Sequence, residues 1–261
     1  MVDVRLRFAK MHGAGNDFVM VDDRAGTFPA DDPAAIARLA NRPDGIGCEG
    51  VILVQTSKTA DFAMRFFNPD GSEADLCGNG ARCVAAFALD IGAAKSPDMR
   101  FETRAGAISA EVLRGGIVKV SMPDPKGLRG DFANTGVPHA IVPVDDIGAA
   151  DVETEGRRIR NSQAYAPEGA NVDFVQYDPP HRLRIRTYER GVEAETFACG
   201  TGAVAAAVVG VAGHSMEFPV EVETAHGFVL SVDGERLDGG FRSVSLSGPV
   251  KTVFLGEIEL S

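Results

Sequence analysis

The chain has 261 residues, 44% of them hydrophobic and 24% charged, the composition of an ordinary globular protein long enough for two domains. Its formal net charge of −11 argues against a basic face for nucleic acid, and its longest apolar run, near Ala203–Ala212, is too short to cross a bilayer. Met1–Phe8 lacks the apolar core of a signal peptide, so a cytoplasmic chain with reduced thiols is expected; Cys48, Cys77, Cys83 and Cys199 then make no disulfide framework, and without a CxxC spacing they suggest no metal site.

In chain order, Arg5–Lys10 reads as a strand, His12–Asp17 as a Gly-rich turn and Phe18–Val21 as a second strand. A helix is predicted over Pro33–Asn41, with Asp31-Asp32 before it and Pro33 in its first turn. Arg42–Gly47 is a loop, Val51–Gln55 and Phe62–Phe67 are strands, and Asn68-Pro69-Asp70-Gly71 is a turn by composition. A helix running to about Ile91 follows Cys77-Gly78-Asn79-Gly80. Strands come next near Arg100–Thr103, Ala107–Leu113 and Ile117–Met122. Pro123–Gly127 is the expected boundary, dividing the chain into domains over residues 1–124 and 125–251. Beyond it, Asn134–His139 is a turn, and Ala170–Val175 and Arg184–Tyr188 read as strands. A second Cys-Gly block opens an Ala-rich helix, and Glu221–Thr224, Phe228–Asp233 and Ser243–Leu246 are closing strands. Val253–Leu260 is a last strand with no counterpart downstream, expected to return and complete the first domain.

The halves repeat. Cys77 meets Cys199, Glu73 meets Glu195 and Gly80-Ala81 meets Gly202-Ala203, all at an offset of 122 residues (199 − 77). Val54-Gln55 meets Val175-Gln176, and Glu102-Thr103 meets Glu223-Thr224, each at 121; His139 falls opposite Asn16 at 123. Several blocks in one register argue for duplication of a whole domain, not for a solenoid of short units. Each copy keeps a cysteine followed by glycines and a helix-forming run, so each thiol is expected at or just before a helix N-terminus. The dipole and amides there favour anions. They are expected to lower the thiol pKa and to hold a carboxylate.

Two thiols on opposite faces of one carbon can invert it, one removing a proton and the other returning one. Each sulfur must then lie about 3–3.5 Å from that carbon. A carbon α to a carboxylate is made more acidic if helix N-termini stabilise the developing enediolate, without metal or cofactor. One thiol must be ionised and the other protonated, so the pair titrates together.

Four blocks carry a resemblance. They are His12-Gly13-Ala14-Gly15-Asn16-Asp17-Phe18, Phe67-Asn68-Pro69-Asp70-Gly71-Ser72-Glu73, Cys77-Gly78-Asn79-Gly80-Ala81-Arg82-Cys83, and Glu189-Arg190-Gly191 with Ala198-Cys199-Gly200-Thr201-Gly202. With them the chain resembles, nearly end to end, the diaminopimelate epimerases of the cofactor-independent amino-acid racemase and epimerase superfamily. The resemblance implies an α/β fold of two similar pseudo-symmetric domains, each a barrel-like, mostly antiparallel sheet around a central helix, with the active site in the cleft between them. It implies interconversion of LL- and meso-diaminopimelate, in lysine and peptidoglycan precursor synthesis, by a homodimer that uses no cofactor. It implies Cys77 and Cys199 as base and acid, with His139 and Glu189 beside the reacting centre. Asn16, Asn68, Asn171, Glu189 and Arg190 would contact mainly the distal end of the substrate. Backbone groups of Gly78-Asn79 and Gly200-Thr201 would hold the reacting carboxylate. Asn79 stands where related proline racemases typically carry His. Gly50 and Val137 stand where the family often carries Gln and Asn, which removes two polar contacts.

Read alone, Asn16 also suits a turn cap, His139 a loop histidine, and Arg190 an ion pair with Glu189 or Glu193 as well as a fork onto a carboxylate. Cys83 and Cys48 lack counterparts in the second copy and read as core. Two other functions compete: a proline or hydroxyproline racemase, and a redox protein in which Cys77 and Cys199 switch between dithiol and disulfide.

Overall fold

The computed structural model describes residues 4–260. The chain forms two compact units. One runs to Val120 and resumes at Pro249, and the other is Ser121–Gly248.

The first unit contains β1 (Val4–Gly13), β2 (Asn16–Asp22), α1 (Pro33–Ala40), β3 (Val51–Gln55), β4 (Phe62–Phe67), β5 (Glu73–Ala74), α2 (Gly78–Asp90), β6 (Asp98–Thr103), β7 (Gly106–Val112) and β8 (Ile117–Ser121). The second contains β9 (Phe132–Asn134), β10 (Pro138–Pro143), α3 (Val152–Arg160), β11 (Asn171–Asp178), β12 (Arg182–Glu189), β13 (Ala194–Thr196), α4 (Gly200–Gly213), β14 (Val220–Thr224) and β15 (Val229–Leu237). A 21-residue strand, β16 (Gly240–Leu260), supplies its early residues to the second unit and its later ones to the first.

In the first unit the strands run β1-β2-β3-β4-β6-β7-β8-β16, and β16 pairs back to β1, closing an eight-stranded barrel. The parallel pairs are β2–β3 and β4–β6; the second unit repeats them as β10–β11 and β12–β14. The antiparallel pairs repeat too: β3–β4 with β11–β12, and β6–β7 with β14–β15. Each unit is therefore a mixed, mostly antiparallel sheet wrapped around a helix. In α2 nearly every residue from Gly78 to Ala88 is buried, and in α4 nearly every residue from Gly200 to Val211. A helix buried on all sides cannot be amphipathic, and alanines and glycines keep it thin enough for a closed sheet to surround. No helix among the described residues is long and apolar enough to cross a membrane.

Several details differ from the sequence reading; among them, the predicted Asn134–His139 turn is shortened because Pro138 and the buried His139 belong to β10. The predicted His12–Asp17 turn shrinks to Ala14-Gly15, both at positive φ, because β1 and β2 pair as far as Gly13 opposite Asn16. Glycine is required at position 13, where a Cβ would stand 2.9 Å from the Asn79 carbonyl and 3.2 Å from the Cys83 sulfur. Ser243–Leu246 and Val253–Leu260 are parts of one strand, β16. Helix α3 is additional: Asp151 caps it, acids fill its first turn and arginines its last, yet it buries only Val152 and Gly156, too little apolar pattern to betray it.

Candidate active site

Each central helix begins at the residue after a cysteine. Cys77 is the N-cap of α2 and Cys199 the N-cap of α4, both in extended backbone, and neither helix start receives a side-chain cap. The first helical hydrogen bonds run from Ala81 N–H to Cys77 C=O and from Ala203 N–H to Cys199 C=O, so the amides of residues 78–80 and 200–202 lie outside the helical ladders. Both thiols are half-buried, and none of the four cysteines is in a disulfide. Cys48 and Cys83 lie in the core, where burial pushes the Cys83 thiol up to about 12 and leaves it inert.

Around Cys77 the chain of polar contacts is neutral in the middle and charged at its ends. The Cys77 thiol donates to Asn16 Oδ1 at 3.6 Å, and Asn79 Nδ2 donates to the same oxygen at 3.3 Å. Asn16 Nδ2 donates in turn to Glu49. Asn79 Oδ1 accepts from Arg82 Nη2 at 2.8 Å. A carboxylate only accepts and a guanidinium only donates, so the two ends fix both amide orientations. Arg82 is fully buried inside the barrel, where desolvation lowers its pKa, and it also donates to the Gly78 carbonyl at 3.3 Å. Asn68 sits in the turn after β4 and donates to Ser72 Oγ at 3.1 Å. Gly50 is buried; a Cβ there would stand 2.4 Å from the Phe66 ring, so no larger residue fits this backbone.

Around Cys199 the same frame carries different chemistry. Thr201 Oγ1 lies 3.4 Å from the sulfur and 2.9 Å from His139 Nε2, and His139 Nδ1 lies 2.6 Å from Asp173 Oδ2. Asn171 Nδ2 approaches His139 Nε2 at 3.4 Å, while its Oδ1 accepts the Arg190 N–H at 2.8 Å. The Arg190 guanidinium rests on the carbonyls of Glu168 and Gly169, both at 3.4 Å; Glu193 pairs with Arg160 instead.

One expectation is overturned. A helix N-terminus alone lowers a thiol pKa, but Cys199 is raised well above the ordinary value. Burial is the largest cause, and the charges of Glu189 and Asp173 push the same way against the Thr201 hydroxyl and the Gly202 N–H.

The sequence brought Asn16, Asn79 and Cys77 together, and likewise His139, Asn171, Thr201 and Cys199. It missed Asp173, Arg82 and Glu49. The signal for Asp173 was an acid at an inward position between Val172 and Phe174; for Arg82 it was a lone charge in an apolar helix.

Among solved structures, a phenazine biosynthesis protein of the PhzF family from Bacillus anthracis superimposes with a TM-score of 0.76 at 17% identity, covering 98% of this chain and 99% of that one. A probable proline racemase from Agrobacterium radiobacter K84 gives 0.70 at 19%, covering 98% and 93%. The fold of this chain is therefore the one seen in both of these structures. The family model described as Diaminopimelate epimerase matches residues 8–127 and 132–251. The chain is 40% identical to the diaminopimelate epimerase of Aquifex aeolicus over 97% of this chain and 98% of that protein, and 39% identical to that of Methanocella arvoryzae over 98% of each. It belongs to the diaminopimelate epimerase family, a family of isomerases.

Gly202 is the tightest point of the second cluster. A Cβ there would lie 2.5 Å from Asp173 Oδ1, which His139 and Thr187 hold in place. Gly202→Ala is expected to destabilise the protein by about 1–3 kcal/mol through overpacking, read as a lower urea midpoint. An unchanged midpoint would show that Asp173 can retreat.

Proposed function

We propose that this chain epimerises LL-diaminopimelate to meso-diaminopimelate, with Cys77 and Cys199 as a two-base pair acting on opposite faces of the α-carbon. The observation that carries the reading is the placement of one cysteine at the N-cap of each buried central helix, in a chain of this family. In the forward direction one thiolate takes the α-proton while the other thiol delivers a proton to the far face. Charge developing on the carboxylate is met by amides of Gly78-Asn79 and Gly200-Thr201, each such donor contributing on the order of 10²–10³ in rate. Asn16, Asn68, Asn171, Glu189 and Arg190 are assigned to the substrate, chiefly its distal amino-acid end, with Arg190 the carboxylate fork. Glu189, whose charge acts on Cys199, and His139 are assigned to tuning that thiol. The setting proposed is cytoplasmic.

The test is incubation with LL-diaminopimelate in deuterated buffer containing reductant. Deuterium should appear at the α-carbon, and Cys77→Ala and Cys199→Ala should each abolish epimerisation while keeping the far-ultraviolet circular dichroism of the parent. Absence of exchange, or uptake into proline instead, overturns the assignment; full activity in either variant overturns the two-base pair.

A homodimer is proposed as well. Val253 and Leu255 on β16 are 52% and 74% exposed where the strand pairs with β1, so apolar side chains there are open to a second copy. Leu255→Lys should shift sedimentation toward the monomer. A parent protein that already sediments as a monomer would dismiss the proposal.

A further inference from the structure

We infer that Asp173, His139 and Thr201 form a proton relay serving Cys199, in which Asp173 is the positioning residue that fixes the histidine tautomer and the Thr201 hydroxyl passes the proton. The inference rests on the two-thiol reading above and assigns a role to Asp173, a residue outside the substrate contacts.

The direction of every hydrogen bond in this cluster follows from its neighbours. Asp173 is fully buried, and its carboxylate can only accept: Oδ1 takes the Thr187 hydroxyl at 2.7 Å, and Oδ2 faces His139 Nδ1 at 2.6 Å. Nδ1 must then carry the proton. Asn171 gives an independent reading of the other nitrogen. Its Oδ1 is engaged by the Arg190 N–H, so the group it turns to His139 Nε2 is its NH₂, a donor. Nε2 is therefore an acceptor. The Thr201 hydroxyl donates to it at 2.9 Å, which leaves the hydroxyl oxygen to accept the Cys199 S–H at 3.4 Å.

The relay can run without any further reactant. The Cys199 S–H bond and the Thr201 O–H bond break as a new O–H forms on Thr201 and an N–H forms on His139 Nε2. The products are a thiolate and an imidazolium, and the charge of the cluster is unchanged. The imidazolium lies between the Asp173 carboxylate and the Thr201 oxygen, both able to accept from it. Such an internal acceptor suits a half-buried thiol flanked by the Glu189 and Asp173 charges, which oppose its ionisation to bulk solvent. In the first repeat the matching positions are Asn16 and Asn79, whose amides donate and accept hydrogen bonds but take no proton at neutral pH. The two thiols are thus chemically unequal.

Three readouts test this, and the first two need no turnover. In ¹⁵N-histidine spectra of the parent enzyme, His139 should show a protonated Nδ1 and an unprotonated Nε2, and Asp173→Asn should shift that tautomer. Alkylation by iodoacetamide, followed peptide by peptide, should fall at least about tenfold at Cys199 in Thr201→Val and return in Thr201→Ser, with Cys77 as internal reference. With diaminopimelate, kcat of Asp173→Asn and Thr201→Val should drop by about 10²–10⁴. A parent spectrum with the proton on Nε2, or wild-type alkylation of Cys199 in Thr201→Val, overturns the relay. If Asp173→Asn fails to fold, the parent spectrum and the Thr201 pair still decide. Should the spectra and alkylation agree while no substrate is epimerised, the relay stands and the proposed function falls.

Discussion

A helix start buried inside a sheet, with no side chain capping it, is the constraint from which the rest follows. The first-turn amides of a helix must find partners or be solvated, and here the residue before each helix is a cysteine, which supplies no oxygen for them. The positive end of each dipole is thereby left facing the sulfur. The surrounding strands bury nearly all of each helix, and the small residues of α4, from Ala203 to Ala207, let the sheet pack closely against it.

The duplication preserved that frame and let the chemistry diverge. Arg65–Glu73 in the first unit and Arg186–Glu195 in the second are equivalent two-point ion pairs, bracing the short strands β5 and β13 that lead into the helices. Beyond them the clusters separate. The Cys77 side is a run of amides held between a buried guanidinium and a carboxylate, and the Cys199 side is a carboxylate, an imidazole and a hydroxyl. A reaction that requires one thiol charged and one neutral is better served by such inequality than by strict symmetry.

Much of this was legible in the sequence because it is written in periodic or local signals. Val51–Gln55 and Phe62–Phe67 are unbroken β-forming runs and match β3 and β4 residue for residue. Asp32 before Pro33 marks a helix start that the structure confirms, and the Cys-Gly blocks mark two more. What escaped depends on partners distant in sequence. Nothing local to Asp173 shows that His139, 34 residues away, will sit on its carboxylate. Nor does local sequence show that burial and nearby carboxylates outweigh a helix dipole at Cys199, since that balance belongs to the assembled environment.

The claim that one thiol serves each face of the carbon is tested most directly by where solvent deuterium goes at low conversion. Thiols exchange with solvent before substrate binds, and the base that removes the α-proton is not the acid that returns one. The meso product should therefore carry one deuterium while recovered LL-substrate carries essentially none. Deuterium appearing equally in recovered substrate, or the original proton retained in the product, would mean that a single base serves both faces, and the account would fail.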